Sequence, residues 1–358
     1  TVLADFDLFY TQLLNGESTR VAPAASFRDY IQWIEGQDKP RGNAFWQRTL
    51  GGFGRPTLVA SSNGKNSTAD QQASDFDIDS DRTRTLRDFA RAQGVTLGIV
   101  VQAAWALTLN KLCGAQDVVF GAAVAARPPD IVNVESIVGS FVNNVPVRAR
   151  LPAQQPVFDL LSDMQVAQQR RSPFEHVSPV DMHRHSDLPH GEALFDSLMV
   201  WLAPEDSPAT RPLPMRAISS NLGTAWPFTL SVAETGDTIR LHGLLQRPSA
   251  VTCTELLSQL ASSLDAIANS NPASRLDSLD GFRHDEEFET ETSIVTPLHA
   301  GQAHRDQPED RSDLKSGRDT IDNDLMLEFI RAEWQQVLPG TDCSDDDNFF
   351  ALGGDSIR

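Results

Sequence analysis

The sequence predicts an α/β fold built on a mixed sheet, followed by a linker and a short all-α segment. Helical and strand patterns alternate irregularly between residues 26 and 280, with no internal repeat. After residue 281 the composition changes abruptly, because charged residues, Pro and Gly replace the apolar ones. A chain of 358 residues is long enough for two domains.

The elements of the first half follow from apolar spacing and from capping residues. Ser26 precedes a predicted helix over FRDYIQWIEG, and a second helix is predicted over KPRGNAFWQRTL and ended by GGFGRP. Residues 60–74 have the small, polar composition of a solvated loop, and a predicted strand, DFDID, follows. A helix over LRDFARAQG should end at Gly94. The next one, TLGIVVQAAWALTLNKLCG, should begin after Thr96 and end at Gly114.

The second half supplies most of the predicted sheet. Strands are predicted over DVVFGAAVAARP, SFVNNVPVRARLP and LFDSLMVWLAP, with an amphipathic helix, VFDLLSDMQVAQQRR, between the second and the third. A hairpin is predicted over PFTLSVAETGDTIRLHGLLQ, turning at Thr-Gly-Asp. The helix CTELLSQLASSLDAIANSNP should close the unit with its apolar face on the sheet.

Charge and cysteine content exclude several classes of partner. The net charge of −19 argues against nucleic acid and against an anionic membrane surface, which both need a basic face. The longest apolar stretch, residues 98–109, is too short to span a bilayer and predicts a buried helix. Cys113, Cys253 and Cys343 have no metal-binding or disulfide spacing, which favours a reducing, cytoplasmic location and predicts no metal site.

The stretch DNFFALGGDSIR, residues 347–358, has the character of a modification loop. Gly353 and Gly354 allow a tight turn, and Asp355 and Ser356 stand where a helix would begin. An anionic group on Ser356 would therefore lie near free backbone N–H groups. A bare Gly-Asp-Ser tripeptide is typical of an ordinary turn and helix cap, but the longer stretch is more specific.

This stretch resembles the 4'-phosphopantetheine attachment motif of peptidyl carrier domains, D-x-F-F-x-L-G-G-D-S-I. The resemblance implies that a phosphopantetheinyl transferase attaches the arm of coenzyme A to Ser356, with Asp355, Gly354 and Gly353 around it. The arm would hold an aminoacyl or peptidyl thioester. Residues 321–358 supply only the first helix and this loop, so we expect a truncated carrier that does not fold independently.

Four upstream segments resemble, in order, elements of the C-terminal lobe of nonribosomal peptide synthetase condensation domains. They are FRDYIQWIE, SIVGSFVNNVPVRARL, RRSPFEHVSP and LFDSLMVW. The resemblance implies a chloramphenicol-acetyltransferase-like sandwich over residues 26–281, preceded in residues 1–25 by the end of an N-terminal lobe. Residues 282–320 would be a flexible acidic linker. Asn144 stands where the family usually has Thr, and the third segment matches only partly.

The family joins carrier-bound aminoacyl or peptidyl thioesters by amide bonds, with upstream carrier and adenylation domains as partners. Its H-H-x-x-x-D-G motif does not occur in this sequence. We therefore predict no catalytic residue here and no activity of this fragment alone. Asn143 and Arg148, from the second segment, and Trp226, which opens the hairpin, are candidates for tunnel-facing or lobe-interface positions. Alternatively, Arg148 pairs structurally and Trp226 packs in the core.

Other interpretations remain beside this one. His183, His185, Asp187 and His190 imitate an active-site cluster in a predicted polar loop, but their spacing is wrong and solvated side chains are expected. A condensation-like scaffold that only docks carriers is an alternative function. A free-standing acyltransferase is disfavoured because it would not need Ser356.

The order of the segments also bears on the parent protein. The linker is too short for an adenylation domain, an order that resembles tail modules of fungal siderophore synthetases, whose carriers are loaded from elsewhere. Both ends of the sequence look cut, so we expect an internal fragment of a longer protein.

Overall fold

The computed structural model describes residues 2–16, 26–59, 71–189, 191–202, 226–247, 249 and 251–284. Its helices are α1 (Val2–Leu14), α2 (Phe27–Glu35), α3 (Lys39–Leu50), α4 (Ser80–Gln93), α5 (Leu97–Cys113), α6 (Val157–Arg171), α7 (Pro179–His183) and α8 (Cys253–Ala268). Its strands are β1 (Gln72–Ile78), β2 (Asp117–Ala125), β3 (Val142–Arg150), β4 (Ser197–Leu202), β5 (Phe228–Thr235) and β6 (Thr238–Leu245).

The strands form one six-stranded mixed sheet in the order β1-β6-β5-β4-β2-β3. The central strands β5, β4 and β2 run parallel to one another, and the outer pairs β1–β6, β6–β5 and β2–β3 are antiparallel. Parallel central strands need coverage on both faces, which explains why β2 and β4 are apolar with little alternation, whereas in β5 apolar residues alternate with Thr229 and Ser231. The mixed pairing predicted from the sequence is confirmed.

One face of the sheet, called here the helical face, packs against α5, α6 and α8. Trp105 of α5 is fully buried and stacks on Phe228 of β5, with ring centroids 5.2 Å apart. Gly243 of β6 has no side chain because a Cβ atom there would lie 2.6 Å from Sγ of Cys253 in α8. Helix α5 is apolar on nearly all sides, because helices and sheet enclose it.

The opposite face of the sheet, called here the α3 face, is covered by α3 and the segment after it. Trp46, Leu50 and Phe53 are buried there. Gly121 of β2 leaves room for the ring of Phe195, whose Cε2 atom lies 2.5 Å from the position that a Cβ would take. The two faces share one apolar core, in agreement with a single α/β sandwich.

A second, smaller core lies between α2 and the loop that follows β2. We call it the aromatic cluster, and its buried members are Tyr30, Val134, Ile137 and Phe141. The guanidinium of Arg127 lies 4.0 Å from the centroid of the Phe141 ring and donates to the carbonyl groups of Val134 and Ile137. Arg127 thereby stabilises the loop internally, and the Phe141 ring contacts that of Tyr30 in α2, with centroids 4.5 Å apart.

Most of the predicted helix ends are confirmed by their caps. The side chain of Ser26 accepts from the N–H of Arg28, and that of Thr96 accepts from the N–H of Ile99. Gly94 and Gly114 adopt left-handed conformations at the ends of α4 and α5, with φ of +67° and +66°. The β5–β6 hairpin turns at Gly236, as predicted, where φ is +58°.

Two parts of the structure differ from the sequence predictions. Helix α1 was not predicted, and in its described part several large apolar side chains are exposed. The first residues of the predicted loop DMHRHSDLPHG, up to His183, belong instead to helix α7. Ser178 caps that helix, Pro179 occupies its first position, and the side chain of Met182 is buried. His183 is therefore a helical residue.

Within the described segments, no single helix has the length and apolar character of a membrane span. Helices α4 and α5 reach that length and character only together, and they meet at an angle of 103°.

Candidate functional site

Arg148 lies on β3 and is held entirely by groups of this lobe. Its Nε and Nη2 atoms donate to the two carboxylate oxygens of Asp117 on β2, at 2.8 Å and 2.6 Å. Its Nη1 atom donates to the carbonyl oxygens of Thr49 and Gly51, at 2.9 Å each. The side chain is only 7% exposed and lies over the ring of Phe53. Arg148 thus ties the α3 C-terminus, whose last carbonyls lack helical partners, to the sheet.

Asn143, five residues earlier on β3, faces the opposite way because successive strand side chains alternate. Its amide nitrogen donates to the carbonyl oxygens of Glu175 and Val177, at 2.6 Å and 2.8 Å. Both acceptors belong to residues 172–178, called here the crossing loop, which connects α6 on the helical face to α7. Asn143 therefore fixes the crossing loop against the edge of the sheet.

A buried ion pair begins in the last turn of α6. The Nε atom of Arg171 donates to Glu175 over 3.0 Å, and the two side chains are 7% and 15% exposed. Burial lowers the pKa of the Arg171 guanidinium, and the carboxylate of Glu175 opposes that shift. Sequence reasoning missed this pair, although the spacing of four residues between Arg and Glu is a recognisable signal.

Trp226 precedes β5 and packs against the core. Its ring stacks on that of Phe195, with centroids 5.1 Å apart, on the α3 face. Asn144 lies on the same face, since it pairs with Ala123, two residues along β2 from Gly121. The Oδ1 atom of Asn144 is buried and has no hydrogen-bond partner among the described residues, so it could accept from a ligand.

The predicted tunnel candidates therefore do not form one cluster. Arg148 and Trp226 have the structural contacts that the alternative interpretation gave them, and Asn143 holds a loop. Their contact with a substrate tunnel or with another lobe stays a prediction.

The histidines of the segment DMHRHSDLPHG that the structure describes contact different partners instead of one another. The Nε2 atom of His183 is hydrogen-bonded to the carbonyl of Glu192, and that of His185 lies 3.4 Å from the Oδ1 atom of Asn43. The backbone N–H of Asp187 donates to the carbonyl of Phe53, and His190 lies outside the described residues. Among the described residues, no three His, Cys, Asp or Glu side chains are grouped so that they could hold a metal ion.

A cleft of about 460 Å³ opens on the helical face, beside the ion pair of Arg171 and Glu175. The first turn of α5, the end of α6 and the carboxyl ends of β2 and β4 form its walls. Sequence reasoning named none of these elements as a site. Gly353, Gly354, Asp355 and Ser356 lie outside the described residues, as do residues 285–358 as a whole.

A mixed six-stranded sheet with α5, α6 and α8 on one face and α3 on the other defines the class, which is an α/β sandwich. The solved structures that match it carry the same fold. The X-domain from teicoplanin biosynthesis aligns with a TM-score of 0.63 and 19% identity, over 77% of this chain and 68% of that one. The first condensation domain of the calcium-dependent antibiotic synthetase, with a substrate analogue, aligns with a TM-score of 0.58 and 20% identity, over 76% and 63%.

The family model of the condensation domain matches residues 1–287, and the chain belongs to this family. One polypeptide of the linear gramicidin synthase of Brevibacillus parabrevis is 33% identical over 240 residues, which is 64% of this chain and 5% of that protein. A second polypeptide of the same synthase is 32% identical over 277 residues, or 74% of this chain and 5% of that protein. The chain thus spans about a twentieth of the length of these relatives.

Proposed function

We propose that this chain is the acceptor-side lobe of an amide-bond-forming condensation domain, joined to the start of a peptidyl carrier. The lobe would help to hold an amine against a thioester, each tethered to a carrier. The carrier would bear its intermediate on a phosphopantetheine arm at Ser356. The observation that carries the proposal is the family match over residues 1–287, followed by the motif DNFFALGGDSIR.

The chemistry of the motif supports this assignment. Two glycines before Asp355 and Ser356 allow the tight turn that presents a hydroxyl at a helix start. The hydroxyl of Ser356 would attack the pyrophosphate of coenzyme A, forming a phosphodiester and releasing adenosine 3',5'-bisphosphate. A phosphopantetheinyl transferase would supply this step, upstream carrier and adenylation domains would supply the activated amino acids, and the reactions would take place in the cytoplasm.

The test is loading of the complete parent polypeptide. Incubated with a phosphopantetheinyl transferase and coenzyme A, it should gain one phosphopantetheinyl group, located at Ser356 by mass spectrometry of the peptide. Ser356→Ala should lose the gain entirely, because no nucleophile remains at that position. Ser344→Ala, twelve residues earlier in the same segment, is the matched control and should load normally. Absence of the added group from the wild-type peptide would refute the carrier assignment.

A scaffold that docks carriers without catalysis is the second candidate, because this sequence contains no H-H-x-x-x-D-G motif. The two functions differ in whether the parent polypeptide carries that motif elsewhere. Amide product formed by the parent, and lost when an upstream motif histidine is replaced, would support catalysis. Normal loading of Ser356 without any amide product would support the scaffold. The siderophore product class stays a prediction from the order of the segments.

A further inference from the structure

A second pocket, of about 550 Å³, lies at the C-terminal end of α5. We call it the α5–α8 pocket, because its walls come from the last turn of α5, from α8 with the segment before it, and from the loop at residues 280–281. The first turn of α5 lines the cleft described above, so about 20 Å of helix separates the cleft from this pocket. The volume of the α5–α8 pocket is in the range of small-molecule sites.

Lys111, in the last turn of α5, brings a half-buried cation to this pocket. Its aliphatic stem packs over Gly281, where an added Cβ atom would lie 3.3 Å from both the Cδ and the Cε atom of the lysine. Its ammonium group has neither an ion pair nor a hydrogen bond among the described residues. Burial lowers the pKa of this ammonium, and Asp280 opposes that shift. An anionic group of a ligand would therefore stabilise the charge of Lys111.

Asp280 brings the opposite charge to the same pocket without pairing with Lys111. Both residues line the pocket, and the carboxylate is near enough to act electrostatically on the ammonium, yet no ion pair joins them. The other described residues of the lining are uncharged. Arg55, also at this end of α5, donates to the carbonyl of Cys113 over 2.8 Å and is not part of the lining. Two opposite charges that face one pocket separately are complementary to a ligand that carries both.

The uncharged lining offers one unsatisfied acceptor and an apolar surface. The Oε1 atom of Gln259, on α8, is buried and has no hydrogen-bond partner among the described residues. An N–H group of a ligand in the pocket would satisfy it. Leu112 and Val251, called here the apolar wall, are partly buried against the main core and also line the pocket. The apolar wall is suited to a hydrocarbon side chain.

We propose that the α5–α8 pocket binds a small zwitterion, with its carboxylate at Lys111, its ammonium at Asp280 and a hydrocarbon group against the apolar wall. This is the chemistry of a free amino acid with an apolar side chain. The proposal goes beyond the condensation function, which uses amino acids only as thioesters tethered to carriers. It does not depend on loading of Ser356, so either proposal can fail without the other.

The test measures binding of L-leucine to the 358-residue chain near neutral pH, by saturation-transfer difference NMR. Two further probes each lack one charge of leucine, because 4-methylpentanoate has no ammonium group and 3-methylbutylamine has no carboxylate. The amine should bind at least about tenfold more weakly than L-leucine, since it loses a charge-assisted hydrogen bond with half-buried Lys111. The carboxylate should bind about threefold more weakly, a smaller loss because Asp280 is exposed and its charge is screened.

Variants assign each charge of the ligand to its partner. Lys111→Met keeps an aliphatic stem over Gly281 and should lower the affinity for L-leucine at least about tenfold. Lys39→Met, at the exposed start of α3, is the matched control and should leave that affinity unchanged. In Asp280→Asn, L-leucine and 4-methylpentanoate should bind nearly equally, because no carboxylate remains for the ammonium. Asp130→Asn, exposed on the loop after β2, should preserve their difference. Circular dichroism checks that each variant is folded.

Three results would overturn the proposal. One is the absence of saturable L-leucine binding up to about 10 mM, the weakest affinity that a specific site of this size would show. Another is equal binding of L-leucine and 4-methylpentanoate to the unsubstituted chain, which would indicate a simple anion site without a role for Asp280. The third is unchanged L-leucine affinity in a folded Lys111→Met variant, which would place the binding elsewhere on the chain.

Discussion

Two buried arginines on opposite faces of the same sheet have different surroundings. Arg148, on the α3 face, donates four hydrogen bonds of 2.6–2.9 Å to a carboxylate and to two carbonyl groups. Arg171, on the helical face, uses a single nitrogen to bind Glu175, and the residue lines a cleft. Equal burial therefore does not imply equal hydrogen bonding, because Arg148 engages all three of its guanidinium nitrogens and Arg171 engages one.

The difference follows from the elements that surround each side chain. At Arg148 the α3 C-terminus presents carbonyl oxygens that have no helical partner, and these complete the coordination of the guanidinium. Arg171 is the last residue of α6, and the only acceptor that its guanidinium engages among the described residues is the carboxylate of Glu175, four residues later.

The largest loss of stability is expected for the substitution Arg148→Met. Removing the guanidinium leaves two carbonyl groups and Asp117 without their partner, which should lower the free energy of unfolding by about 4 kcal/mol. The free energy of unfolding is measured by urea denaturation, with the transition monitored by circular dichroism. Arg150→Met, at the exposed end of the same strand, is the matched control and should change stability little. A small loss at Arg148 would contradict the structural role.

Arg171→Met should have the next largest effect, about 3 kcal/mol, because it leaves the buried carboxylate of Glu175 without a counter-charge. The double variant with Glu175→Gln should recover most of this loss, since no uncompensated charge remains. Arg170→Met, its exposed neighbour, is the control. Equal stability of the single and the double variant would show that the ion pair does not account for the loss.

The smallest effect concerns His176, next to Glu175 in the crossing loop. Its ring packs edge-on against Trp33, 5.3 Å between centroids, and burial lowers the pKa of its imidazole below the usual 6.5. The unfolded chain therefore binds the proton more readily, and stability should fall as the pH drops below 6.5 toward the folded pKa. His176→Gln should make the free energy of unfolding less dependent on pH between about 7 and 5. Parallel curves for the two proteins would exclude this contribution.

Much of the fold could be predicted because its signals are local. Thr96 and Gly114 bound α5 through contacts with their own neighbours in sequence, and the hairpin turns at Gly236 because only glycine adopts that φ readily. Helix α7 was wrongly predicted as a loop. Its five residues are too few for a periodic pattern. The burial of Met182, one of the five, depends on tertiary contacts that the sequence pattern does not show.

The candidate site was less predictable from sequence. The motif around Asn143 and Arg148 indicated the right strand, but the partners of both side chains lie 31 to 99 residues away in sequence. The cleft on the helical face combines α5, α6, β2 and β4, none of which carries a motif for it.

The sequence alone determined the alternation of helices and strands, their caps and turns, and the family resemblance, because each depends on spacing along the chain. The tertiary structure decided which side of the sheet each arginine occupies and what it meets there. The hydrogen bonds of Arg148 depend on the carbonyl groups at the end of α3, about a hundred residues away in sequence, and these groups reach Arg148 only when the chain is folded.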